Sequence, residues 1–186
     1  MGFLDILLGR TEPVQPDLDV LFAIPGAACT VQAALGMAPT GAGAVCFKAA
    51  EGADRAVNES LALLGLGDTL DVRLTHDEFG FTWITCRQST VDLPVLLTAL
   101  HAVNSTLADA GFGSSLLCTV VGFGDAGHRL GIVYLFKRGT VYPFAPTGDR
   151  HRDTALEMRA RAELARDLPV EPDLERWFPI WDAPVL

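Results

Sequence analysis

Three apolar runs, residues 116–123, 130–136 and 140–144, follow one another almost without interruption, and that spacing does most to limit the fold. Each run is rich in Val, Ile, Leu, Phe or Tyr, residues that suit a pleated surface. The gaps are short and contain glycine, so they hold hairpin turns rather than crossover helices. The three strands must therefore lie antiparallel, as a meander.

The rest of the chain reads as further strands and helices. Residues 28–35 and 42–49 are expected as two strands joined by a turn at 39–43. Residues 70–74 alternate apolar and polar, as a half-buried strand does. After a turn at 76–78, Phe79, Phe81, Trp83 and Thr85 share one face of its partner strand. Short helices are predicted at 1–9 and 17–23, and longer ones at 51–64 and 149–168. The clearest helix starts at Asp92 as cap, with Pro94 in its first turn. Its stripe is Leu93, Leu96, Leu97, Leu100, Val103 and Leu107, and Gly111 ends it. The expected class is α+β, a mainly antiparallel sheet with helices packed on one face. Residues 1–15 form an amphipathic helix and linker, 16–168 a single domain, and 169–186 an aromatic tail. Residues 19–48 and 92–137 both read helix, strand, Gly-rich turn, strand. That order raises a duplication, with halves at 16–67 and 68–148 followed by the helix at 149–168.

Composition narrows the function. The net charge of −9 repels a polyanion, and Lys48 and Lys137 are the only lysines, so nucleic acid is not an expected partner. Cys29, Cys46, Cys86 and Cys118 are scattered without a Cys-x-x-Cys pair and read as reduced, buried thiols. No basic leader precedes an apolar stretch, and no run is expected to reach the ~18 apolar residues of a membrane span. A cytoplasmic location is expected.

No catalytic constellation emerges. Gly122, Gly124 and Gly127 have the spacing of a dinucleotide loop, but the next segment reads as a strand where that chemistry needs a helix N-terminus. A Gly-rich hairpin is the better reading. His76, Asp77 and Glu78 are sequence neighbours that point to alternating sides, without a second ligand pair at metal spacing. His101, His128 and His151 have no evident carboxylate partner. Ser114 and Ser115 lack a nucleophile elbow. Cys86 beside Arg87 is the most reactive candidate by position, yet alternation puts it opposite Phe81 and Trp83. No cofactor, metal or catalytic residue is expected.

Two apolar ends remain. Phe3, Leu4, Leu7 and Leu8 form a stripe that could pack on its own domain, enter a partner's groove or rest on a membrane surface. Trp177, Phe178 and Trp181 either cover the sheet or form an exposed interaction patch, with Glu171, Asp173 and Glu175 as a solvated approach.

The start Met-Gly-Phe-Leu-Asp-Ile-Leu-Leu-Gly-Arg, the run Pro-Asp-Leu-Asp-Val-Leu-Phe at 16–22 and the tail Glu-Arg-Trp-Phe-Pro-Ile-Trp at 175–181 carry a resemblance. The chain resembles the phage-shock-protein-A-associated family PspAB over nearly its whole length. The resemblance implies a cytoplasmic partner in bacterial envelope stress, associated with PspA and with a membrane zinc metalloprotease of the HtpX type. It implies no catalytic residues. The order of elements is also similar to type III secretion chaperone-like domains, which is an analogy of fold. The expected function is a non-catalytic adaptor whose protein-binding residues are Phe3, Leu4, Leu7, Leu8, Trp177, Phe178 and Trp181. The alternative is a small-molecule-binding domain or enzyme with a pocket near Cys86, His101 or the turn at 122–131. A homodimer formed through a sheet edge or a helix fits either.

Overall fold

The computed structural model describes residues 16–48, 52–64 and 70–186. The stripe of Phe3, Leu4, Leu7 and Leu8 lies outside the described residues. A 3-10 helix, Leu18–Ala23, opens on Asp17 and runs directly into α1, Ile24–Leu35. The strand expected at 28–35 is therefore a helix. Thr30 and Val31 favour strands, but Gln32, Ala33, Ala34 and Leu35 favour helix, and Pro25 sits in the first turn. Gly36 closes the helix at φ 72°, a left-handed position that suits glycine. The joined helical stretch Leu18–Leu35 has a mean hydropathy of 1.6 over 18 residues, enough by length and composition to cross a membrane, which the broken reading had not anticipated. In the fold its stripe of Leu21, Ile24, Ala27, Ala28 and Val31 is buried in the core.

β1, Ala38–Lys48, begins earlier than expected and contains the residues predicted as a turn. Between Pro39 and Gly43 its pairing with β4 shifts register, a bulge made at Gly41 with φ 72°. α2 is Asp54–Leu64, β2 Leu70–His76 and β3 Phe81–Gln88. α3, Leu93–Leu107, is capped as predicted: the Asp92 carboxylate accepts the Val95 N–H at 3.1 Å. β4 Leu116–Gly124, β5 Arg129–Leu135 and β6 Thr140–Phe144 form the meander. The charged helix starts later than read. A small hairpin of β7, Pro146–Gly148, and β8, His151–Arg152, turns at Asp149 and Arg150, both at positive φ. α4, Thr154–Leu164, then begins under the Asp153 cap. With residues 28–35 helical, 19–48 no longer shares the helix–strand–turn–strand order of 92–137.

The six main strands make one antiparallel sheet in the order β2-β3-β1-β4-β5-β6. Strand alternation gives it two apolar faces. Val45, Ile84, Cys86, Val121, Ile132 and Tyr134 lie under the helices with Leu96, Leu97, Leu100 and Val103. Ala44, Cys46, Trp83, Cys118, Val133 and Phe144 lie on the other face, where Trp177, Ala183 and Val185 of the tail cover them. Cys86 and Trp83 are on opposite faces, as the alternation predicted. Of the four free cysteines, Cys29 is exposed rather than buried, because it lies on the outer side of α1.

Candidate binding cleft between sheet and tail

The tail leaves α4 and first seals an edge of the sheet. The Val141 N–H donates to the Pro169 carbonyl at 2.9 Å, and the Glu171 N–H donates to the Val141 carbonyl at 2.8 Å. Glu171 is fully buried, contrary to its reading as a solvated residue. One carboxylate oxygen accepts from Arg138 Nε and from the Thr140 hydroxyl, each at 2.8 Å. Burial pushes its pKa up, but these hydrogen bonds outweigh that and hold it below the ordinary glutamate value.

Beyond Glu171 the chain turns across the sheet. Trp177 Nε1 donates to the Glu171 carbonyl at 3.1 Å, and the indole stacks on Tyr142 with ring centroids 5.8 Å apart. The Tyr142 hydroxyl donates to the Phe178 carbonyl at 2.8 Å. Arg152 donates to the Trp177 carbonyl at 3.0 Å while its guanidinium lies over Phe144. It is held there by Glu157, a buried carboxylate that also accepts the Ala145 N–H at 2.9 Å. Trp181 meets Phe144 edge-on at 5.2 Å. At its end the tail is clasped by Arg87, which donates to the Pro184 carbonyl.

This path leaves part of the second sheet face uncovered. A cleft of about 470 Å³ opens there, with Cys46, Trp83, Cys118 and Tyr142 along its inner wall and Phe178, Pro179, Ile180 and Trp181 opposite. Phe79, Phe81, Leu117 and Leu135 extend the apolar lining, and Asp77, Lys137, Arg138, Arg176 and Asp182 supply the polar groups. Asp77 fixes the wall locally: its carboxylate accepts the Phe79 and Phe81 N–H groups and Trp83 Nε1–H, at 2.9–3.0 Å. Phe79 and Phe178 project into solvent, 56% and 60% exposed. Arg150 lies over Phe79 and pairs with Glu78.

Cys46 and Cys118 face each other across β1 and β4. The hydrogen bond to Cys118 and burial both push the Cys46 thiol far up, so it stays neutral. Burial likewise pushes Tyr142 up. The Cys46 thiol and the Tyr142 phenol thus stay neutral on the inner wall, and the charged groups of the cleft are Asp77, Lys137, Arg138, Arg176 and Asp182.

The sequence-predicted residues fall in different places. Phe178 and Trp181 line the cleft, whereas Trp177 is buried in the sheet–tail contact at 4% exposure. Phe79, Phe81 and Trp83 join them; the sequence had marked these only as one face of a strand, and Phe79 lies in the turn before β3. Cys46, Cys118, Leu117 and Leu135 were missed, because each reads only as one more apolar strand residue. The cleft lies away from the places the small-molecule alternative had named, although a more open hollow of about 380 Å³ does adjoin the turn at 122–131, with Thr40, Arg87, Asp125 and Arg129 in its lining. Cys86 is sealed under the helices, its thiol pushed up to about 12 by burial. His101 packs against Phe22, the ring centroids 4.9 Å apart and the planes tilted by 32°. The glycines at 122–127 span a strand end and a hairpin, as read. In that hairpin His128 does have a carboxylate partner, Asp125, at 3.1 Å, in an exposed turn. His76 bonds the Thr82 hydroxyl at 3.0 Å. Among the described residues no three His, Cys, Asp or Glu side chains group as metal ligands.

A family model described as PspAB, PspA associated protein B, matches residues 1–185. No curated protein and no solved structure matches the chain.

Proposed function

The chain belongs to the PspAB family, and from that premise we propose that it is a non-catalytic cytoplasmic adaptor of the phage-shock stress response that docks PspA in the sheet–tail cleft. The supporting observation is the cleft itself, an apolar hollow edged by the charged side chains of Asp77, Lys137, Arg138, Arg176 and Asp182 and flanked by two exposed phenylalanines, Phe79 and Phe178. Exposed aromatic groups beside a pocket are the anchors from which interfaces draw most of their energy. An apolar stripe on a helix or extended segment of PspA could bury itself against them. The N-terminal stripe and Trp181 would add contact area, and a membrane protease of the HtpX type would be a second partner.

The test is calorimetry of purified PspA against the chain and its Phe178→Asp and Phe79→Asp variants. Both side chains are exposed, so melting temperatures should stay near that of the parent. Affinity should fall at least about tenfold, as when a hot-spot contact is lost. Unchanged affinity would remove the cleft from the reading, and no binding by the parent chain would remove the adaptor.

A second reading follows from the volume alone, which lies in the range of small-molecule sites. Native mass spectrometry of the purified protein separates the two, since a co-purifying small molecule would favour that reading.

A further inference from the structure

The two edges of the sheet are treated differently. On β6 the chain's own residues take up the outer hydrogen bonds through the bridge between Val141 and Val170. At the opposite edge β2, Leu70–His76, has β3 on one side and no partner among the described residues on the other. An open strand edge is a template for another strand. We infer that its partner is the same edge of a second copy, paired antiparallel about a two-fold axis at Val72.

Pairing with β3 fixes which way the β2 side chains point. Val72 and Leu74 stand opposite Cys86 and Ile84, on the helix side, whereas Asp71 and Arg73 stand opposite Arg87 and Thr85, on the tail side. In an isologous contact each residue meets its symmetry partner. Centred on Val72, the strand sets Asp71 against Arg73 of the second copy and Arg73 against its Asp71. On the other face Leu70 meets Leu74, and Leu74 meets Leu70. Leu74 is 41% exposed, so the contact removes apolar surface from water.

The registers on either side fail by charge. Centring on Asp71 opposes two carboxylates, and centring on Arg73 opposes two guanidinium groups. Like charges directly opposite destabilise a pair and opposite ones stabilise it. A one-residue slip would turn the apolar side chains to the wrong face. Within one chain Asp71 and Arg73 already pair at 2.8 Å, largely exposed, so the exchange across the axis needs only rotation of surface side chains. A contact of one strand is small, which makes the dimer weak and concentration-dependent.

Sedimentation equilibrium of the full chain over a wide concentration range tests this, alongside Asp71→Arg, Arg73→Asp and the double swap. The expected result is a reversible dimer, weakened at least tenfold by either reversal and restored by the swap, with melting temperatures unchanged. In a Cys29→Ser background, Val72→Cys should cross-link to itself under mild oxidation and Thr75→Cys should not, because opposed Cα atoms on antiparallel strands fall within disulfide reach. A monomer at every concentration would overturn the inference. A dimer indifferent to the single reversals, or not rescued by the swap, would overturn it equally.

Discussion

Glu157 and Glu171 sit in stretches that read as solvent-facing, yet both are buried and both tie the tail region to the sheet. Nothing in composition separates a buried carboxylate from a solvated one, because the distinction is made by partners distant in sequence. Arg138 and Thr140, which satisfy Glu171, lie on the turn and strand it reaches only after the chain has folded back. The pH dependence follows. Glu171 has a folded pKa below its ordinary value of 4.5, so its contribution to stability is present above that value. It is lost as the pH falls through the lower folded value. Acid titration followed by tryptophan fluorescence should show Trp177 released in that window, with Glu171→Gln flattening this part of the curve. A Glu171→Gln profile matching the parent would remove Glu171 from the acid transition.

Elements with a strong local pattern were legible. The α3 stripe shows because one buried face sets its period, and the meander because strands buried on both faces read as continuous apolar runs. The stretch at 28–35 was not, since its small and β-branched residues fit a buried helix or a strand equally until Gly36 is seen as a cap. The bulge in β1 was likewise hidden, Pro39 and Gly41 signalling a turn where the strand only changes register. Two glycines show how tightly the layers meet. A Cβ at Gly43 would sit 2.6 Å from a Leu100 methyl, and one at Gly122 would sit 2.7 Å from the Thr40 hydroxyl oxygen and 2.9 Å from the Val185 carbonyl oxygen. Gly122→Ala must therefore push the end of the tail away from β4. We predict a loss of about 1–3 kcal/mol in chemical denaturation, the usual cost of overpacking, with faster proteolysis after residue 177. A variant as stable as the parent would mean that the tail end yields freely.

For the whole molecule, the α+β class, the helix layer and the meander could be read from pattern, while the cleft could not. A cleft is a property of the gap between two layers, and the sequence marks the layers without marking their separation. The aromatic tail was legible as a dilemma, either cover or patch, and the fold divides the two roles between neighbours. Trp177 is cover; Phe178 is surface. Trp177→Ala should accordingly cost roughly 3 kcal/mol, in the range for deleting a buried large aromatic, and should expose the second sheet face to hydrophobic dyes. Phe178→Ala should do neither. Thermal melts and dye binding compare the two directly, and equal effects would contradict this division.

The cover also follows, in chain order, every strand it lies on. A chain grows on the ribosome by roughly 5–20 residues per second, so Trp83, Cys118, Val133 and Phe144 emerge on the order of seconds before Trp177 and Val185. The helices that shield the first face are largely made before or between the strands they cover, whereas the second face waits bare for its lid. During that interval the nascent protein offers a sheet-sized apolar surface to whatever is nearby. Its yield in cells should depend on how quickly the final segment is translated and on which chaperones reach the growing chain first.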